Sequence, residues 1–242
     1  MSRVLVLGGT VEARQLADRI GPTAVYSLAG RTAQPRLPHC EVRVGPFGGA
    51  DGLVQYLRAG AIAAVVDATH PFADQMPGHA VAACDAAGVP RLKLVRAPWH
   101  PAPGDRWRSV ADAAAAANVV KDSDRVFLAI GIQELAAFSE IEDVLFLVRT
   151  VEEPGGPLPL RAYRHIAGRG PFKLADERAL LARYQIDTIV CKNSGGDGTY
   201  AKLAAARELG IQVIMIARPA QPEGTTVATV EDALTWLERM GR

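Results

Sequence analysis

The chain has 242 residues, of which 49% are hydrophobic, so it can bury the core of one large domain or two smaller ones, and we expect two. Its formal net charge of +1 argues against a protein that mainly neutralises nucleic-acid phosphates. Cys40, Cys84 and Cys191 lack any CxxC spacing, which supports neither a disulfide framework nor a zinc site. The N-terminal apolar run, residues 4–7, is too short for a signal-peptide core, and no later apolar run has the length of a membrane span, so we expect a soluble cytoplasmic protein.

The first predicted element is an apolar strand, residues 4–7, that runs into Gly8, Gly9 and Thr10 and then into an amphipathic helix. Glycines let a ligand approach the backbone, and the N–H groups of a helix start attract phosphate. The two glycines are adjacent, so the turn departs from the full GxGxxG dinucleotide fingerprint. We expect Thr10 to cap the helix and donate to a phosphate, with Arg14 one turn further along. The alternative is a capped helix end that binds nothing.

The second predicted strand, residues 24–28, ends in Ala29, Gly30 and Arg31. At this point of nucleotide-binding α/β units, an acidic residue selects NAD and an arginine accommodates the 2′-phosphate of NADP. The sequence has the arginine and no acidic residue there, which favours NADPH over NAD and over S-adenosylmethionine. The alternative is an exposed loop arginine.

A near-continuous apolar run, residues 62–67, predicts a strand buried on both faces of a parallel sheet. The carboxyl end of such a strand faces the ligand crevice, so we expect Thr69, His70 and Phe72 near whatever binds. His70 is either a proton donor or a residue that hydrogen-bonds the loop. The β–α alternation continues to about residue 95.

Composition changes over residues 97–108, which contain prolines, a glycine and two tryptophans. This change predicts a crossover between an N-terminal domain, residues 1–98, and a C-terminal α/β domain, residues 99–242. The second domain contains a basic segment from Arg161 to Lys173. That segment is either a solvated basic face or a ligand-binding surface.

Residues 187–219 predict a second strand–loop–helix–strand unit. Its polar glycine loop, residues 192–198, leads into a helix near Thr199, and we expect it to hold an anion. Lys192 and Lys202 flank the loop and suit phosphate or carboxylate. The alternative is a tight turn with solvated lysines. A last amphipathic helix follows at residues 230–239.

Several of these stretches together resemble the precorrin-6A reductase family and its cobalt-precorrin counterpart, from cobalamin biosynthesis. They are LGGTVEAR at 7–14, AGR at 29–31, DATHPFA at 67–73, KNSGGDGTYAKLAAARELG at 192–210 and VIMIARP at 213–219. The resemblance is most specific over residues 192–219 and weakest over about 99–160.

The resemblance implies an α/β protein with two Rossmann-like lobes, largely parallel sheets and a cofactor cleft between the lobes. It implies NADPH-dependent reduction of one carbon–carbon double bond of a tetrapyrrole, precorrin-6A or its cobalt form, to give precorrin-6B. We expect NADP as cofactor, no resident metal, no nucleic-acid or membrane partner, and a monomer or weak homo-oligomer. A non-catalytic NADP(H)-responsive binding protein is the alternative, and a methyltransferase fits Arg31 poorly.

The resemblance also implies which residues form the site. Cofactor-binding residues of the first lobe are Gly8, Gly9, Thr10, Arg14, Ala29, Gly30, Arg31, Thr69, His70 and Pro71. Those of the second lobe are Asn193, Ser194, Gly195, Gly196 and Thr199. The candidate catalytic proton donors are His70, Tyr200 and Lys202, with water as the alternative. The substrate's carboxylates would suit the cations Arg161, Arg164, Arg169, Lys173, Lys192 and Arg218.

Overall fold

The computed structural model of the chain describes residues 3–30 and 34–241. Strands and α-helices alternate through most of this described part, as the sequence pattern predicts. No helix among the described residues is both long and apolar enough to span a membrane. The elements are β1 (Arg3–Leu7), α1 (Val11–Ile20), β2 (Ala24–Leu28), β3 (Glu41–Val44), α2 (Gly49–Ala59), β4 (Ile62–Asp67), α3 (Met76–Ala87), β5 (Arg91–Leu94), β6 (Arg106–Val110), α4 (Ala113–Val119), β7 (Arg125–Ala129), β8 (Leu145–Thr150), β9 (Tyr163–Ala167), α5 (Leu174–Arg183), β10 (Thr188–Lys192), α6 (Ala201–Leu209), β11 (Gln212–Ile216), β12 (Thr226–Val227) and α7 (Val230–Met240).

The chain folds into two compact units. The first contains Met1–Ala97 together with Ala220–Arg242, and the second contains Pro98–Pro219. The sequence pattern assigns all of residues 99–242 to the second domain, and the structure corrects this at the C-terminal end. The physical reason is that β12 pairs with β5 and that α7 packs against α1 and the first sheet.

The first unit is built on a six-stranded parallel sheet in the order β3-β2-β1-β4-β5-β12. This is the Rossmann strand order, which reverses direction between β1 and β4. Successive side chains of a strand point to opposite faces, so Val4 and Val6 pack against α1 and α7. Leu5 and Leu7 pack against α2 and α3 on the other face. Both faces of the central strands are therefore buried, which confirms the predicted doubly covered parallel sheet.

The second unit repeats this order with a different chain path. Its parallel sheet runs β9-β8-β7-β10-β11-β6, so the order reverses between β7 and β10. The outer position beside β11 is filled by β6, which precedes the other five strands in the chain. In the first sheet the equivalent position is filled by β12, which follows the whole second unit. The outer strand of each sheet and the helix that follows it therefore come from the far side of a crossing between the units: β6 and α4 precede the other strands of the second unit, and β12 and α7 follow that unit.

A buried ion pair joins the second sheet to helix α5. Arg149 on β8 donates to both carboxylate oxygens of Glu177, at 2.5 and 3.0 Å. Its guanidinium also lies 3.8 Å from the ring centre of Phe172. The exposed fractions of the Arg149 and Glu177 side chains are 9% and 2%, so water screens this pair very little. Each buried charge is therefore compensated mainly by the other.

Replacing Glu177 with alanine leaves the Arg149 guanidinium buried and uncompensated. We expect Glu177→Ala to lower the free energy of unfolding by about 3–5 kcal/mol, measured by urea denaturation. Glu208→Ala is the matched control, because it breaks the exposed pair that Arg178 and Glu208 make at 3.5 Å. An exposed pair contributes less than about 1 kcal/mol, so equal losses in the two variants would contradict this account of the buried pair.

Candidate active site

The glycine turns that the sequence singles out follow strands at the two points where strand order reverses. Ligands of open parallel sheets bind at such points, because the loops there leave the strands in opposite directions. In the first sheet β1 leads into the turn at residues 8–10, and β4 leads into residues 68–72. In the second sheet β7 leads into residues 130–134, and β10 leads into the glycine loop at residues 193–200.

The first turn requires glycine at two positions for different reasons. A Cβ on Gly8 would lie 2.5 Å from the ring of Tyr26, so a side chain has no room there. Gly9 has φ 120°, a conformation that side chains disfavour. The Gly8 N–H donates to the Ser27 carbonyl at 2.8 Å and the Gly9 N–H to the Tyr26 hydroxyl at 3.3 Å. The turn is therefore held against β2.

Thr10 caps helix α1, as the sequence predicts. Its hydroxyl oxygen accepts the N–H of Ala13 at 3.1 Å, and the hydroxyl donates to the Ala68 carbonyl at 3.0 Å. The Thr10 hydroxyl proton, which we expected to bond a phosphate, is instead donated to the Ala68 carbonyl in this structure. Thr10 thus joins the turn after β1 to the loop after β4.

Arg14 pairs with a residue further from the helix start. Its Nη1 lies 3.1 Å from Oδ2 of Asp18, and Asp18 also accepts the backbone N–H of His39 at 2.7 Å. The hydrogen bond from the His39 N–H is the main cause that lowers the pKa of Asp18. Asp18 therefore competes with any phosphate for the Arg14 guanidinium.

Strand β2 leads into Ala29 and Gly30, and Gly30 has φ 80°. The predicted Arg31 lies outside the described residues, but the strand next to β2 contains an arginine that sequence reasoning missed. On the adjacent strand β3, Arg43 donates to the carbonyls of Gly45 and Pro46, each at 2.7 Å. Its guanidinium also lies 3.7 Å from the ring centre of Phe47. Arg43 thus fixes the loop that follows β3.

The loop after β4 contains the predicted Thr69, His70 and Pro71. His70 Nδ1 accepts the N–H of Phe72 at 3.2 Å, so a neutral ring has its proton on Nε2. His70 therefore has the loop-bonding role, one of its two expected roles, and retains a ring proton. The Pro71 carbonyl accepts the side-chain amide of Gln221 at 3.0 Å. Gln221 belongs to the C-terminal segment that returns to the first unit.

The glycine loop of the second unit is attached to the crossover segment. Asn193 accepts the Trp99 backbone N–H at 2.8 Å and donates to the Trp99 carbonyl at 3.0 Å. The Trp99 indole N–H donates to the Gly196 carbonyl at 2.9 Å. Gly195 and Gly196 have φ 68° and 75°, which only glycine adopts readily. Asn193 therefore has a structural role within the second unit.

The two lysines beside this loop are engaged inside the second unit, which differs from the expected pair of anion-flanking cations. Lys192 forms an ion pair with Glu134, which follows β7. Lys202 has an exposed fraction of 4%; its ammonium donates to the Thr199 carbonyl at 2.8 Å and lies 4.9 Å from the Trp99 ring centre. Burial lowers the pKa of Lys202.

Sequence reasoning missed Glu134, the carboxylate that pairs with Lys192 beside the glycine loop, although Gly131, soon after β7, is a local signal for it. A Cβ at Gly131 would lie 2.5 Å from Oε2 of Glu134, so glycine makes room for the carboxylate. The second reversal point therefore contains its own anion with a lysine partner. The first reversal point also has a carboxylate with a lysine partner, Asp67 with Lys93, but this carboxylate is fully buried, so the point presents a glycine turn and a helix start.

Tyr200 and Arg218 complete the surroundings of the glycine loop. The Tyr200 hydroxyl accepts from Arg207 at 2.7 Å, and Arg207 also donates to both oxygens of Asp105, at 2.8 and 3.1 Å. Arg218, expected to face substrate carboxylates, donates to the carbonyls of Asn193 and Ser194 at 2.7 and 3.0 Å. It therefore supports the loop from within.

Comparison with known proteins decides the family. The family model described as Precorrin-6x reductase CbiJ/CobK matches residues 3–238. The chain belongs to this reductase family. A precorrin-6A reductase from Rhodococcus erythropolis is 48% identical over 248 residues, covering 100% of both chains. A cobalt-precorrin-6A reductase from Priestia megaterium is 30% identical over 255 residues, covering 99% of both.

A solved structure supports the same conclusion. The structure titled "CobK precorrin-6A reductase" superposes with a TM-score of 0.95 at 47% identity, covering 100% of this chain and 98% of that one. Membership of the CbiJ/CobK family makes the chain an oxidoreductase, and a reductase of this kind implies a nicotinamide cofactor. The family thereby excludes the non-catalytic and methyltransferase alternatives.

The two hydrogen bonds between Asn193 and Trp99, called the clamp below, can be tested by replacing one nitrogen atom of the Asn193 side chain with oxygen. Asn193→Asp replaces the amide that donates to the Trp99 carbonyl with an oxygen that repels it. We expect the free energy of unfolding to fall by about 1–3 kcal/mol, with a shift of the tryptophan fluorescence maximum. Asn118→Asp, at an exposed position of α4, is the control and should leave both quantities nearly unchanged. The same small effect in both variants would show that the clamp contributes nothing.

Proposed function

We propose that this chain uses NADPH to reduce one carbon–carbon double bond of precorrin-6A, giving precorrin-6B in cobalamin biosynthesis. The 48% identity to a full-length precorrin-6A reductase supports the reaction. The observation that carries the cofactor assignment is the contrast between the two reversal points. A phosphate meets a capped helix start at Gly8, Gly9 and Thr10, whereas at the other point it would meet the carboxylate of Glu134.

The first lobe holds the cofactor in this proposal. The pyrophosphate lies at the start of α1, where Gly8 and Gly9 keep the approach clear of side chains and the helix dipole favours negative charge. One carboxylate is close to this start, since Glu12 is in the first turn. Arg96 neutralises it with an ion pair of 2.9 Å. The other side of the same reversal point is the loop after β4, which contains Thr69, His70 and Pro71.

Arg31 selects the phosphorylated cofactor in this proposal. The residue follows Gly30 at the end of the second strand, where nucleotide-binding units contact the adenosine ribose. A guanidinium there makes charge-assisted hydrogen bonds to a 2′-phosphate, and these bonds have no counterpart with NADH.

The second lobe receives the substrate through its exposed cations. Arg164 and Lys173 are exposed, and Arg161 and Arg169 make surface ion pairs with Glu140 and Glu152 at 3.9 and 3.3 Å. Surface pairs are weak, so a substrate carboxylate can replace either acidic partner at little cost. The segment is also tied to the glycine loop, because the Phe172 N–H donates to the Gly198 carbonyl at 3.2 Å. A polycarboxylate ring suits such a surface.

NADPH, when bound, would supply a hydride to one carbon of the double bond, and a protein group or water would have to supply a proton to the other carbon. A neutral His70 ring has its proton on Nε2, and the Tyr200 hydroxyl accepts from Arg207, so its own O–H is not used in that bond. Lys202 is buried against Trp99 and bonded to a loop carbonyl, so we assign it to support of the glycine loop. His70 and Tyr200 are therefore the two protein groups proposed to supply the proton.

The assignment of Arg31 is tested with two cofactors. We expect Arg31→Ala to weaken NADPH binding by about 1–3 kcal/mol and to leave NADH binding nearly unchanged, measured by titration calorimetry. Arg36→Ala, an exposed arginine of the same segment, is the control and should change neither affinity. Equal losses for both cofactors in Arg31→Ala would remove the 2′-phosphate assignment.

The reaction is tested by anaerobic NADPH oxidation with metal-free and cobalt-containing precorrin-6A side by side. The identity is 48% to the precorrin-6A reductase and 30% to the cobalt-precorrin-6A reductase, so we expect faster oxidation with the metal-free ring. Faster oxidation with the cobalt form would correct the substrate. Binding of NADPH without oxidation by either ring would contradict the reductase proposal.

A further inference from the structure

Three buried polar side chains form a network directly below the loop that follows β4. Lys93 Nζ lies 2.9 Å from Oδ2 of Asp67 and 3.1 Å from the Thr69 hydroxyl oxygen. Oδ1 of Asp67 accepts both the Thr69 hydroxyl at 2.7 Å and the Thr69 N–H at 3.1 Å. The exposed fractions of Asp67, Lys93 and Thr69 are 0%, 3% and 8%.

Stability alone gives little reason for such a network. Removing two charges from water is costly, and a well-packed apolar pair of similar volume usually stabilises a fold equally well. The network instead connects positions that the cofactor site needs. Asp67 is the last residue of β4 and is in register with Leu7 on β1 and with Lys93 on β5. It therefore lies at the reversal of strand order itself.

The network restrains both sides of this reversal point through a continuous series of hydrogen bonds. Asp67 holds the amide and hydroxyl of Thr69, which fixes the start of the loop. Ala68, which lies between Asp67 and Thr69, donates its N–H to the Leu7 carbonyl at 3.0 Å. Its carbonyl accepts the Thr10 hydroxyl at 3.0 Å, and that same hydroxyl caps α1. A displaced loop would therefore disturb the helix start.

We propose that Asp67 and Lys93 are positioning residues that act through Thr69 to hold the first reversal point ready for the cofactor. Asp67 and Lys93 are excluded from water and act only through the loop and the cap of α1. A preformed site spares the cofactor the free energy of ordering that loop. This inference rests on the proposed binding of NADPH by the first lobe.

One variant weakens the network and a second removes it, and both keep the volume and charge balance of the core. Thr69→Val keeps the ion pair and loses only the hydroxyl, and Thr69→Ser restores a hydroxyl. The double variant Asp67→Val with Lys93→Met removes both charges together, so no buried charge is left without a partner. The control is Thr188→Val, because Thr188 is a buried threonine of the second unit whose hydroxyl bonds Ser123 at 2.9 Å.

The measurements are the dissociation constant for NADPH, the urea midpoint, and amide hydrogen exchange along the whole chain. We expect Thr69→Val and the double variant to bind NADPH about tenfold more weakly, because the loop is no longer held in place. Exchange should accelerate over residues 68–73 and the first turn of α1 only, with urea midpoints close to that of Thr188→Val. Thr69→Ser should retain the affinity of the unchanged chain. The double variant excludes a direct contact of Thr69 with NADPH as the explanation.

Two outcomes would overturn the positioning role. One is unchanged NADPH affinity in the double variant. The other is an affinity loss that accompanies faster exchange throughout the chain and a lowered urea midpoint, which is the signature of a purely structural network. Failure of the proposed function looks different, since the unchanged chain would then bind no NADPH at all.

Discussion

The site depends on one topological constraint, the reversal of strand order within an all-parallel sheet. Loops on the two sides of a reversal leave in opposite directions, so the ends of the two central strands stay accessible. Both sheets of this protein have such a point, but the two points differ in the carboxylate that a phosphate would meet: Asp67 at the first is fully buried, whereas the Glu134 side chain at the second is 28% exposed. The first offers Gly8, Gly9 and a capped helix start, and the second contains Glu134 with Lys192 as its partner. A few side chains therefore distinguish two lobes of the same strand order.

Because the chain crosses between the units twice, residues from both crossing segments hydrogen-bond the glycine loop of the second unit. Trp99 follows the first crossing between the units, and Arg218 precedes the return. Both contact the same loop: Trp99 pairs with Asn193 and Gly196, and Arg218 donates to the carbonyls of Asn193 and Ser194. The loop and the two crossing segments of the second unit thus form one hydrogen-bonded set. The glycines provide its turns, and residues distant in the chain provide its rigidity.

The local part of this structure could be predicted from the sequence. The parallel α/β elements, both glycine turns and the Thr10 cap follow from short-range patterns, and the motif resemblance identified the family. The last domain boundary could not be predicted, because β12 has only two residues and pairs with β5, more than a whole unit earlier in the chain. The contacts of Lys192 and Lys202 could not be predicted for the same reason: their partners, Glu134 and Trp99, come from other elements. The ion pair of Asp67 and Lys93 likewise joins two strands and has no local signature.

In the function proposed for this chain, the first lobe alone provides the phosphate site. A crystal structure of the chain soaked with NADP⁺ would locate that site. We expect the pyrophosphate at the first turn of α1, within hydrogen-bonding distance of backbone N–H groups, and the 2′-phosphate beside Arg31. A pyrophosphate bound instead at the glycine loop of residues 193–200, with Glu134 displaced from Lys192, would contradict it.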